Sequence, residues 1–117
     1  MKESLKDKYP LLFENNDEID INARYQRAWQ EAKHAADILK DEFGAEEIWL
    51  FGSLTDKNRF YRRSDIDLAE KGIPDHMFYS AVARVTREIK DFKVDLIDIR
   101  NCREVLKSAV EKEGIKL

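Results

Sequence analysis

In 117 residues there is one cysteine, Cys102, and there are two histidines, His34 and His76. A lone thiol cannot close an internal disulfide, and two histidines far from it in sequence leave a zinc site short of ligands. A reducing cytoplasm is therefore the expected compartment. His34 falls in a helical stretch and His76 near a helix start, so both read as surface residues rather than catalysts. No apolar run approaches the roughly 20 residues of a membrane-spanning helix, and no signal peptide opens the chain. A basic excess is missing too: 21 Lys and Arg face 24 Asp and Glu, a net charge of −3. Extended nucleic-acid grooves draw most of their affinity from positive charge, so that class of partner is not expected. Neither an internal repeat, a low-complexity tract nor a flexible Gly/Ser linker marks a domain boundary.

What is present is a chain with 43% hydrophobic and 38% charged residues, the balance of a soluble globular protein. Its length fits one domain, 1–117, in which residues 1–18 form an extension of unassigned role, interrupted by Pro10 and carrying the apolar group Leu11-Leu12-Phe13. From about residue 20 to 43, Tyr25, Trp29, Ala32, Ala36, Leu39 and Phe43 recur at alternating steps of four and three, which predicts a helix with one buried stripe, ended by Gly44. A second helix is expected to start at Pro74-Asp75 and to bury Phe78, Ala81, Val82, Val85 and Ile89 before Phe92 leads into a strand. A third is expected from about Cys102 to Glu113, ended by Gly114 and followed by the apolar tail Ile115-Lys116-Leu117.

The chemistry lies between these helices. Ile48-Trp49-Leu50-Phe51 reads as a buried strand that stops at Gly52, and Ser53 would open a short helix. Glycine lets the backbone approach a ligand closely, and a helix start offers unpaired N–H groups to an anion, so the turn suits phosphate. After an eleven-residue loop, Leu54 to Ser64, comes Asp65-Ile66-Asp67-Leu68. Alternation on a strand puts both carboxylates on one face and both aliphatics on the other. Two like charges about 7 Å apart along a strand repel unless solvated or bridged. Hard oxygen ligands of this kind suit Mg²⁺, which combines a few carboxylates with waters and substrate phosphates. A second acid-bearing strand, Val94-Asp95-Leu96-Ile97-Asp98-Ile99, offers a third carboxylate from Asp95 or Asp98. The two have opposite parity, and parity alone leaves the choice open.

Gly-Ser, a loop of about ten residues, Asp-x-Asp and a later Asp together resemble the minimal nucleotidyltransferases of the DNA polymerase beta superfamily. The phrases WLFGSL, RRSDIDLA and VDLIDIRNCREVLKSAVEKEGIKL carry the resemblance, which extends over roughly residues 20–117. It implies a small α/β (α+β) nucleotidyltransferase fold, a mixed β-sheet with helices packed on it, and catalysis with two Mg²⁺ ions and ATP as substrate. By position Asp65, Asp67 and Asp95 match the catalytic, metal-binding acids, and Gly52 and Ser53 the phosphate-holding pair. Asp98 is then left aside, exposed or capping the following helix. Many relatives carry Ala-Arg-Gly soon after Gly-Ser. This chain has Leu54-Thr55-Asp56-Lys57-Asn58-Arg59 there, so the phosphate-gripping cation would come from Lys57, Arg59, Arg62 or Arg63, with Arg62 and Arg63 taken as nucleotide-binding. One domain leaves no room for the palm, finger and recognition parts of a self-sufficient polymerase.

The activity so implied moves a nucleoside monophosphate, AMP from ATP, to a hydroxyl of an acceptor. Stand-alone members of this size are often paired with a small helical HEPN protein whose tyrosine is the acceptor, so the resemblance implies an antitoxin-like role in a toxin–antitoxin system. The competing reading is a non-catalytic module that binds nucleotide or merely occludes its partner.

Overall fold

In the computed structural model the backbone is described from Pro10 and the side chains from Asp20, each through Leu117. The apolar group Leu11-Leu12-Phe13 thus lies outside the described side chains. The first helix, α1, runs Pro10–Phe43, 34 residues, so the helix anticipated from residue 20 continues back through the polar N-terminal stretch to a proline at its first position. Proline there costs nothing, because the first turn has no partner for its N–H. Gly44, at φ +74°, ends the helix as expected, and the Ala45 N–H donates to the Leu39 carbonyl at 3.1 Å across that turn.

Strand β1 (Glu47–Phe51) leads through a single 3₁₀ turn, Gly52–Thr55, and a loop into β2 (Ile66–Lys71). A 3₁₀ turn Asp75–Met77 precedes α2 (Phe78–Glu88), followed by β3 (Val94–Asp98), α3 (Glu104–Glu113) and β4 (Ile115–Lys116). The sheet is mixed, in the order β3-β2-β1-β4. β1 pairs antiparallel with β2 and β4, whereas β3 lies parallel to β2 after the α2 crossover. The C-terminal tail is therefore an edge strand, held by Leu117 N–H to Ile48 O at 2.9 Å and by Lys40 Nζ to Leu117 O at 2.7 Å.

Alternation gives the two faces of the sheet different fates. Ile48, Leu50, Ile66 and Leu68 are fully buried beneath Ala28, Ala32, Ala35 and Leu39 of α1 and Ala81 and Val85 of α2. Tyr25, Trp29, Phe43, Phe78 and Val82 pack partly buried at the rim of this core, so the buried stripe of α1 is centred on its small residues, with the aromatics flanking it. Alanines let a helix approach a sheet closely, which suits a wide core made from few residues. The opposite face carries only α3, whose Val110 packs on Ala69 and Ile99, with Trp49, Phe51, Ile97 and Cys102 partly buried around them. Among the described residues no helix is long and apolar enough to cross a membrane.

Candidate active site

The register of the sheet assembles the acids. In the parallel pair, Asp67 lies opposite Asp95 and Glu70 opposite Asp98. Neighbours across a ladder share a face, so Asp67 and Asp95 stand side by side on the thinly covered face, and Asp98 falls with Glu70 on the other. Asp65 stands one residue before β2, and the Ile66 N–H beside it donates to Lys93 O at 2.9 Å, carrying the ladder past the end of the strand. On the other side of β2, Phe51 is the antiparallel partner of Asp67, which brings the turn at Gly52 to the same end of the sheet. The three acids and the Gly-Ser turn are thus neighbours, although they come from three places in the chain.

Gly52 is backed directly onto Asp67. Its φ is +79°, and a Cβ built there would lie 2.3 Å from Asp67 Oδ2, so a side chain would displace the carboxylate as well as strain the backbone. The helix anticipated at Ser53 is only this 3₁₀ turn. It is tied by Thr55 Oγ1 donating to Gly52 O at 2.7 Å, Asp56 N–H to Ser53 O at 3.2 Å, and Trp29 Nε1 donating to Leu54 O at 3.1 Å. Leu54 is fully buried and pins the turn to the core.

Asp67 is held above the ordinary carboxylate range, at about 6. Partial burial is the largest cause; the negative charges of Asp95 and Asp65 add to it, and Lys93 opposes it. The counter-cation on the cluster is Lys93, whose Nζ is 3.6 Å from Asp95 Oδ1. Among the described residues no three His, Cys, Asp or Glu side chains close a ligand set by themselves. The donors nevertheless fit Mg²⁺: they are all carboxylate oxygens, three acids face the counter-charge of Lys93, and the bare backbone of Gly52 leaves Asp67 Oδ2 its space. This ion habitually completes its shell with water and substrate phosphate rather than with a full protein cage. A cavity of about 510 Å³ between α2, β3 and α3 is lined by Asp98, not by Asp65, Asp67 or Asp95, so the cluster lies on an open face instead.

The loop between turn and acids is anchored at both ends and exposed between. Phe60 is buried and meets Tyr25 edge-on, with ring centroids 5.3 Å apart. Asp56 folds the first half back through its carbonyl, which accepts from Arg59 and Phe60 N–H at 2.9 and 3.1 Å. Buried Ser64 closes the second half, its Oγ accepting from Tyr61 N–H at 2.9 Å and its N–H donating to Tyr61 O at 3.0 Å. Of the four candidate phosphate cations, Arg59 pairs with Glu113 at 3.5 Å, and Lys57, Arg62 and Arg63 are exposed. The backbone of Arg62 is tied to α1 by Arg24 Nε donating to its carbonyl at 3.0 Å.

Three readings need revision or addition. Asp98 neither lies exposed nor caps α3; its oxygens accept from Arg100 N–H at 2.9 Å and Asn101 Nδ2 at 2.7 Å, capping the turn that precedes α3. Glu70, unremarked in the sequence, is completely buried: Oε2 accepts from Ile73 N–H at 3.0 Å, and Oε1 has no partner among the described residues. Lys93 was equally inconspicuous, yet its position two residues before Asp95 on one strand signals a shared face. Both histidines are exposed as anticipated, His34 lying 3.3 Å from Glu88.

A mixed sheet whose hairpin carries a Gly-Ser turn against a carboxylate strand, joined by a helical crossover to a parallel acid-bearing strand, is the nucleotidyltransferase fold. The chain belongs to the family described as Polymerase beta, Nucleotidyltransferase, which matches residues 33–117. Its structure is similar to a toxin–antitoxin complex with AMP-PNP, at 26% identity over 73% of this chain and 70% of that one, with a TM-score of 0.61. It is also similar to the MntA-HepT toxin–antitoxin complex, at 23% identity over 75% and 69% of the two chains, TM-score 0.57. A third similar structure is the tri-AMPylated HEPN toxin of Shewanella oneidensis in complex with MNT antitoxin, at 22% identity over 76% and 70%, TM-score 0.57. The likeness is to the MntA antitoxin of such complexes, and the last two comparisons bear on fold alone. No curated protein sequence matches the chain.

Proposed function

We propose that this protein is a magnesium-dependent nucleotidyltransferase that moves AMP from ATP to a hydroxyl of a small helical HEPN-type protein and thereby acts as its antitoxin, in the cytoplasm. The observation that carries this reading is the register that sets Asp95 beside Asp67 while Gly52 abuts Asp67 from the neighbouring strand. Family membership supports the reaction class. The partner and the nucleotide are supported by similar structures described as holding a HEPN toxin, an AMPylated HEPN toxin and AMP-PNP.

Asp65, Asp67 and Asp95 would hold two Mg²⁺ ions, which would supply charge stabilisation to the attacking hydroxyl oxygen and to the departing pyrophosphate. Gly52 and Ser53 would receive the β and γ phosphates on the turn that abuts Asp67, fixing the triphosphate in line for attack. Arg62 and Arg63, exposed on the loop that joins the turn to the acids, would offset the triphosphate's charge. Asp95, whose side chain is 45% exposed, would take the proton as the hydroxyl oxygen bonds to the α-phosphorus and pyrophosphate departs.

The test is incubation with α-labelled ATP, Mg²⁺ and a HEPN-type protein as partner, for wild type and for Asp65→Asn, Asp67→Asn and Asp95→Asn. Label on the partner with wild type only is the expected result. Inhibition of the partner that persists in all three variants, with no label transferred, would replace catalysis by occlusion.

A further inference from the structure

The acid cluster faces a cation supplied by its own strand. Lys93 precedes Asp95 by two residues, so both side chains leave the chain on the same side, and its carbonyl is fixed by the Ile66 N–H at 2.9 Å. Its Nζ reaches to 3.6 Å from Asp95 Oδ1, and its charge is felt at Asp67, whose proton affinity it lowers. Asp65 and Asp67 form no ion pair with the described residues, so Lys93 is the charge that offsets the cluster there. The lysine side chain is 71% exposed, which makes the pair loose and reversible.

We propose that Lys93 is a resident counter-cation that competes with the divalent ion for Asp95 and so sets how tightly the site holds that ion. The inference rests on the metal-binding role assigned to the acids above. An ammonium 3.6 Å from Asp95 Oδ1 repels a divalent charge a few ångströms away and offsets part of the carboxylate's charge. A unit charge against a double charge at about 5 Å in a solvent-screened site is worth roughly three- to tenfold in binding. Such a brake would favour the ion that arrives with a triphosphate, whose negative charge draws the lysine off the acid, over the free ion. Lys93 is thus a positioning residue, acting through Asp95.

Mn²⁺ titration followed by the electron paramagnetic resonance signal of the free ion, without nucleotide, reads this directly. The proteins are wild type, Lys93→Met, Lys93→Arg and Asp95→Asn, each first shown to melt cooperatively. Lys93→Met should bind Mn²⁺ about three- to tenfold tighter than wild type, with the gap narrowing as salt is raised, and Lys93→Arg should match wild type. If Asp95→Asn loses affinity but Lys93→Met binds Mn²⁺ no tighter than wild type, the lysine has no such role although the acids hold metal. If wild type and every variant fail to bind Mn²⁺, the metal-binding reading falls and this inference with it.

Discussion

Replacing Asp67 by Asn should stabilise the ligand-free protein while abolishing transfer. The carboxyl is raised from 3.8 to about 6, first by burial and then by Asp95 and Asp65, so the fold resists ionising it. A group whose folded pKa lies above its unfolded value stabilises fully below the unfolded value and loses that contribution as pH rises through the folded one. Here the loss runs from about pH 4 to about pH 6 and is complete at neutrality. Two units correspond to roughly 3 kcal/mol if unscreened. Asp67 is only half-buried, so solvent screening reduces this to about 1–1.5 kcal/mol. Asparagine keeps the shape without the charge, and in EDTA at pH 7.5 the variant should melt about 5 °C above wild type. Near pH 4 the two should nearly coincide. Adding Mg²⁺ should raise the wild-type melting temperature and leave the variant unmoved, because only a native state that binds the ion gains from it. Circular dichroism melts across pH 4–8 with EDTA or Mg²⁺ decide the matter. A variant that melts below wild type at pH 7.5 in EDTA, or a gap of equal size at pH 4, would refute the view that the acids destabilise the fold for the sake of their chemistry.

Gly52→Ala should lose most transfer activity while still folding, because the new methyl meets Asp67 Oδ2; the positive φ adds about 1–2 kcal/mol of strain, measurable by urea denaturation. Glu70→Gln should gain on wild type as pH rises, since burial holds Glu70 above its ordinary range and its stabilising, protonated form is lost upward; urea melts at pH 5 and pH 8 that show the variant weakening at pH 8 would mean the carboxylate is ionised and paired. Phe60→Ala should cost about 3–4 kcal/mol by removing a buried ring, and should also release the loop it anchors. Trypsin should then cut faster after Arg62 and Arg63, whereas unchanged cleavage would show the loop to be held by other contacts.

The parts of the fold legible in the sequence are those written in local periodicity. Steps of four and three marked α1, an apolar face after Pro74-Asp75 marked α2, an apolar run ending at Gly52 marked β1, alternation marked β2, and the spacing of Gly52-Ser53 from Asp65 and Asp67 marked a candidate site before any pairing was known. What stayed illegible depends on contacts between distant segments. Parity showed that Asp95 and Asp98 could not serve the same face and left the choice to the family resemblance; the β2/β3 register is the physical reason that Asp95 stands beside Asp67. Glu70 reads as an ordinary strand acid until β2 proves to continue to Lys71 and the following bend aims Ile73 N–H at its carboxylate. The tail Ile115-Lys116 is too short to declare itself a strand and becomes one because β1 offers an open edge.

The same division explains where this chain's individuality lies. The acids are fixed by strand register, which tolerates little change, because a slip of one residue would carry Asp67 into the core and Leu68 out to the cluster. The loop from Asp56 to Ser64 is held at Phe60, Ser64, the Asp56 turn and the Arg62 carbonyl, which accepts from Arg24, rather than by strand pairing. That is where Lys57, Arg59, Arg62 and Arg63 stand in place of an early arginine. Arg59 pairs with Glu113 on α3 at 3.5 Å. A loop anchored by its aromatic can thus differ at its exposed positions while the carboxylates it leads to stay where the sheet puts them.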